Sequence, residues 1–214
     1  MELTYDKNRV NNFTDAIFAI AMTLLVLDLV VPSYNELTTK GFGQVMQDLL
    51  PKFIGYAVSF LVIALYWSSH MNISKNLKHY NKGALGWNIM LLFMVVLMPF
   101  TTSFYCSTFV VNEPFIIYSI NIIALSVFKY LMIRKIEKDQ LIEKGYDPIL
   151  FQWAKTRDLM AGLVWLFAII VSLKFALLSR FSPLLLFPVL KFVDIVYKRK
   201  STKRIKVKSR KKRT

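Results

Sequence analysis

Arg9, Phe13, Thr14 and Asp15 stand at the head of the stretch RVNNFTDAIFAIAMTLLVLDLVV, residues 9–31, where charge and hydroxyl run directly into an apolar segment. A carboxylate just inside such a segment costs about 2.5–3.5 kcal/mol at a helix centre on insertion scales, so Asp15 needs a partner or a task. Arg9 and Asp15 are six residues apart, about 240° around a helix, and do not share a face, whereas Arg9 and Phe13 do. Each charge is therefore expected to meet a group on another helix or subunit. A buried ion pair that fixes helix register is the plain reading, and direct ion binding by Asp15 is the sharper one.

Downstream, Ile20, Leu24, Leu27 and Val31 follow the spacing i, i+4, i+7, i+11 and form one helical stripe. Thr23 lies beside it. Ala16, Ala19 and Ala21 permit close helix contact. Lining a pore, this stripe would form hydrophobic rings that can gate by dewetting, with a threonine hydroxyl nearby. Packing or lipid contact would serve an aliphatic stripe equally well. Asp28, near the far end, could raise the local cation concentration at a pore mouth or be an ordinary interfacial charge.

The elements that position these residues are long apolar runs. The chain has 214 residues, is 55% hydrophobic and carries a net charge of +15. Its apolar runs recur about every 30 residues with few charges, the pattern of a polytopic all-α membrane protein. Six transmembrane spans are expected, at 13–31, 51–71, 84–105, 114–133, 159–178 and 183–197, the last short and interrupted by Pro188 and Lys191. Pro51 and Pro114 suit first-turn positions. Pro99 should bend its helix, with Thr101 and Thr102 taking the freed carbonyls. Residues 1–197 read as the transmembrane domain and 198–214 as a basic tail, disordered in isolation. Loop 134–158 should hold a short helix ending near Gly145 and a turn at Asp147-Pro148.

Basic residues orient the whole. The N-terminus, loop 72–83, loop 134–158 and the tail together carry 22 Lys and Arg, against Lys40 and Arg180 in the opposite segments. That bias puts both termini in the cytoplasm and favours an even number of spans. The run after Lys7 and Arg9 imitates a signal peptide but lacks an A-x-A-like site, so it reads as a retained helix.

Several chemistries are not encoded. Cys106 is the only cysteine, so no internal disulfide or cysteine metal site can form. His70 and His79 are the only histidines, and no metal site is expected. Trp67 and His70 share a helical face at the end of the second span. No nucleophile, paired-carboxylate site or phosphate loop is present, so no catalytic residue and no cofactor are assigned. The tail suits anionic lipid, at about 1 kcal/mol per basic residue near the surface, better than nucleic acid, for which no folded readout accompanies it.

Arg9-x-x-x-Phe13-Thr14-Asp15 followed by AIFAIAMTLLVLDL resembles the R-x-x-x-F-S-D signature that opens helix one of the transmembrane protein 175 potassium channel family. AVSFLVIALYWSSH (57–70) resembles that family's second helix, with its Trp-x-x-His ending, and NIMLLFMVVLMPFTTS (88–103) its third. Beyond about residue 105 the similarity is one of span count only. Thr14 replaces the family's serine and keeps the hydroxyl, while Met71 stands where bacterial members often carry a second histidine. The resemblance implies a potassium-selective channel in the plasma membrane: a homotetramer of six-helix subunits with helix one lining the conduction path. It implies that Ile20 forms the tightest ring, that Leu24 and Leu27 form further rings toward the outside, and that Thr23 aids potassium preference. Arg9, Phe13, Thr14, Asp15, Trp67 and His70 would form a packing network that does not touch the ion. A secondary transporter or a non-conducting scaffold is the alternative; the absence of an internal repeat speaks against a transporter.

Overall fold

The computed structural model describes residues 3–108, 111–143 and 148–211, with side chains described up to residue 200. After a two-residue strand β1 (Thr4–Tyr5), helix α1 runs Lys7–Leu24 and tightens into a 3-10 turn, Leu25–Asp28. Short α2 (Tyr34–Lys40) precedes α3 (Phe42–Ser74), strand β2 (Tyr80–Asn81), α4 (Lys82–Ser107) and α5 (Asn112–Lys138). Then come α6 (Pro148–Ser172), α7 (Ala176–Ser179), a 3-10 turn at Ser182–Leu185 and α8 (Leu186–Lys211).

Local chemistry sets several boundaries. Asp6 caps α1 by accepting from the Arg9 backbone N–H at 2.9 Å. Pro32 disfavours the helical region for Val31, so the helix does not reach the end of the apolar run. The expected span 13–31 is thereby shifted: it starts six residues earlier and ends at Asp28, and Val31 lies outside it. Ser33 and Glu36 form a reciprocal capping box at the start of α2. At φ 78°, Gly41 makes the left-handed turn into α3. Because α3 already begins at Phe42, Pro51 lies inside it and not in its first turn; Lys40 and Gln44, both bonded to Asp48, support the added turns. Pro114 does lie in the first turn of α5.

Pro99, inside α4, gives up the bond to the Val95 carbonyl. Thr101 bonds instead to the carbonyls of Leu97 and Met98, both at 3.2 Å, and Thr102 donates to Ser59 on α3 at 2.9 Å. The Met94 carbonyl takes the Asn121 amide of α5 at 3.2 Å. The two threonines therefore do not serve the freed carbonyl as expected; inter-helix packing claims Thr102. A Cβ on Gly55 would collide with Cys106 Sγ, so α3 and α4 cross closely there.

In the middle layer α5 packs between α4 and α6, and α8 closes on α6. The core joins Phe18 of α1, Ile63 and Tyr66 of α3, Val95 and Met98 of α4, Tyr118 and Ile122 of α5, and Trp165 of α6. A second cluster, around Val10, Ile73, Tyr80, Ile136 and Phe151, fills one end. There β1 pairs antiparallel with β2, Lys7 bridges to Glu143 at 2.6 Å, and Asn81 donates to Asp139. These contacts gather the start of α1, the end of α3, the start of α4 and the end of α5, the segments rich in Lys and Arg. At the opposite end Arg180 donates to the Val111 carbonyl at 3.0 Å and stacks over Phe115 at 4.3 Å.

Five stretches among the described residues are long and apolar enough to cross a membrane: Lys7–Asp28, Phe42–Ser74, Lys82–Ser107, Asn112–Lys138 and Ala176–Lys200. Helix α6 has 25 residues but carries Lys155, Arg157 and Asp158 in its first half. The expected span 159–178 is displaced, since α6 ends at Ser172 and the chain turns before α7. Among the described residues loop 134–158 forms no separate helix: its two halves extend α5 to Lys138 and begin α6 at Pro148, while Gly145 and Asp147 lie outside the described residues. Helix α8 continues through Lys198 to Lys211, so this part of the tail is helical.

Candidate functional site: the two faces of helix α1

Helix α1 is divided lengthwise. Val10, Thr14, Phe18 and Ala21, followed by Leu25, are buried, at a spacing that keeps them on one face. On the other face Ile20, Leu24 and Leu27 are 54%, 42% and 72% exposed in the protomer. Arg9, Asn12, Ala16, Ala19 and Thr23 are exposed with them. Thr23 Oγ1 donates to the Ile20 carbonyl at 2.8 Å, so its proton is used within the helix.

The buried face is held by a polar network. Asn88 of α4 donates from Nδ2 to Thr14 Oγ1 at 2.9 Å, and its Oδ1 lies 2.9 Å from His70 Nε2 on α3. A carbonyl oxygen only accepts, so Nε2 carries the proton in this pairing. The His70 ring also lies 6.2 Å from that of Phe18. One turn away, Trp67 Nε1 donates to Asp15 Oδ1 at 2.8 Å, and Tyr80 donates to Asn11 at 3.2 Å. Together these bonds fix the rotation of α1 against α3 and α4. They also meet the cost of placing amide, hydroxyl and imidazole groups away from water.

Of the residues singled out in the sequence, Thr14, Asp15, Trp67 and His70 come together. Arg9 and Phe13 do not join them: both are exposed and line a surface groove of about 490 Å³ with Tyr5, Asp6, Val10 and Asn88. Asp28 is half-buried and accepts from Ser103 of α4 at 2.5 Å, tying the end of α1 to α4. Two features escaped the sequence reading. Asn88 opens the stretch that resembles the family's third helix, but its role as the bridge between Thr14 and His70 depends on how α3 and α4 cross. The second is an ion pair buried in the apolar layer, Lys129 to Asp158 at 2.9 Å. Its signal is the single lysine within the run SINIIALSVFKYLMI.

Among the described residues no three His, Cys, Asp or Glu side chains gather as metal ligands. The arrangement can orient a helix and expose an aliphatic stripe, but it offers no nucleophile next to a base. It defines an all-helical multi-span membrane protein built around a rotationally locked first helix.

The family model of the endosomal/lysosomal potassium channel TMEM175 matches residues 9–99, the segment that contains this network. On that segment the chain is similar to the TMEM175 family. Its relatives include a potassium channel of Chryseobacterium sp., 30% identical over 130 residues, 61% of this chain and 64% of the relative. A potassium channel of Chamaesiphon minutus is 33% identical over 98 residues, 46% and 48% of the two chains. The matches thus span about half to just under two thirds of these relatives' length. The crystal structure of a lysosomal potassium-selective channel TMEM175 homolog from Chamaesiphon minutus shares the fold, with a TM-score of 0.67 at 22% identity, covering 91% of this chain and 97% of that one.

Proposed function

We propose that the chain is the subunit of a potassium-selective channel, not an enzyme, and that the exposed face of α1 lines the conduction path. The observation that carries this reading is the division of α1: its polar groups on one side are tied to α3 and α4, leaving Ile20, Leu24 and Leu27 outward. That outward face also carries Arg9 and Asn12, polar groups that a helix turned to lipid would leave without partners. A shared axis between copies supplies both water and protein neighbours. Four copies would place rings of Ile20, Leu24 and Leu27 around the axis, with Ile20 the tightest and Thr23 offering oxygen beside it; such rings hold back water and ions until they widen.

In this reading all six long helices, α6 included, cross a plasma membrane, with both termini in the cytoplasm. The gathering of the basic segments at one end supports it. Arg9 and Phe13, exposed in the protomer, face a neighbouring copy, and Asp28 contributes negative charge near the outer mouth. The basic tail contacts anionic lipid. The relatives named potassium channels support potassium as the permeant ion.

Reconstitution in liposomes tests the proposal. Purified protein conducts potassium down its gradient more readily than sodium, and Ile20→Asn changes the size or selectivity of the flux. Flux of a solute coupled to protons, or none, would favour the transporter or scaffold reading.

A further inference from the structure

We infer that a single ordered water occupies a site inside each protomer, lined by no residue of α1, where it completes the coordination of the Lys129–Asp158 pair. Lys129 Nζ bonds Asp158 Oδ1 at 2.9 Å, with the two side chains 0% and 3% exposed. The second carboxylate oxygen, Asp158 Oδ2, is buried and has no hydrogen-bond partner among the described residues. The same holds for Ser69 Oγ on α3. Both residues line a pocket with room of about 10 Å³, together with Lys129, Arg157, Leu186 and Leu190. Two orphaned polar side chains and a water-sized space thus converge on one place.

The chemistry of the lining selects the ligand. A metal cation would sit beside the Lys129 ammonium and near Arg157, and two like charges bar it. An anion would meet the Asp158 carboxylate. Water fits, because it can donate to Asp158 Oδ2 and exchange a hydrogen bond with Ser69 Oγ, and the pocket has room for one such molecule. Buried waters that satisfy otherwise orphaned groups are costly to remove. The site bears on α6, whose first half carries Lys155, Arg157 and Asp158. Lys129 neutralises Asp158, and the water satisfies its remaining oxygen, so that end of α6 can stay buried against α3, α5 and α8.

Two substitutions at one position test this, read as thermal unfolding midpoints of the full chain in lipid nanodiscs. Ser69→Ala keeps the room for water and lowers the midpoint slightly. Ser69→Val fills the room, expels the water, strands Asp158 Oδ2 and lowers the midpoint by several degrees more. In a Lys129→Met/Asp158→Leu background the water has nothing to complete, and Ser69→Val is no worse than Ser69→Ala. If Ser69→Val equals or exceeds Ser69→Ala in the otherwise native chain, the space is dry and the inference is wrong; should the double variant fail to fold, the first comparison decides alone.

Discussion

Trp67 Nε1 donates to Asp15 Oδ1 across 2.8 Å, joining the second long helix to the first at the point where the first enters its apolar run. The bond makes Asp15 a fixed point for the rotation of α1. Trp67→Phe keeps the ring and deletes the donor. Asp15 is exposed in the protomer, so the loss in stability is expected near the low end for a bond to a charged group, about 1–1.5 kcal/mol. Thermal unfolding of the purified protein measures it. A larger consequence is expected in conduction, since α1 can then turn.

Thr14 separates hydroxyl from shape. Its Oγ1 accepts from Asn88 in a fully buried place. Thr14→Ser retains the acceptor and should be close to neutral. Thr14→Val retains the shape but strands the Asn88 amide, at about 1–3 kcal/mol. Parallel denaturation curves of the two variants check the difference.

The Lys129–Asp158 pair predicts a non-additive series. Lys129→Met alone leaves a buried carboxylate without its ammonium and should cost about 3–5 kcal/mol. Lys129→Met with Asp158→Leu removes both charges and should recover most of that loss. A double-mutant cycle on unfolding midpoints measures the coupling.

Acid should loosen the end where β1 and β2 pair. Hydrogen bonds from Lys135 and Asn81 hold the Asp139 carboxyl below the usual carboxylate range. A carboxyl depressed in the folded state contributes its full stability above its unfolded value, and loses it as pH falls through the folded one. Stability should therefore decline below about pH 4, and Asp139→Asn should flatten that part of the profile. Unfolding midpoints between neutral and strongly acidic pH provide the test.

The sequence made the all-helical membrane class legible through the length and recurrence of its apolar runs, and the face of α1 through the spacing of Ile20, Leu24 and Leu27. The family signature also singled out Thr14, Asp15, Trp67 and His70, which the fold brings together. Helix ends were less legible. Val31 continues the stripe by spacing, yet Pro32 prevents it from being helical. Pro51 resembles a first-turn proline, but Lys40 and Gln44 bond to Asp48 and carry α3 back to Phe42. Phe13 shares the signature but not the network, since the buried stripe passes through Val10 and Thr14 instead. Asn88 and Asp158 depended on partners 74 and 29 residues away in sequence, a separation that local spacing does not encode.

The central claim is that the exposed face of α1 borders the ion path, and thiol accessibility tests it most directly. Cys106 is the only cysteine, so Cys106→Ala gives a background without thiols. In that background Ile20→Cys, Leu24→Cys and Leu27→Cys are introduced singly, with Phe60→Cys and Ile120→Cys as controls exposed on α3 and α5. Potassium current across a planar bilayer is then recorded while a small thiol-reactive cation is added. The account predicts block of the three α1 variants and unchanged current in the controls. Block of the controls with the α1 variants untouched would contradict it.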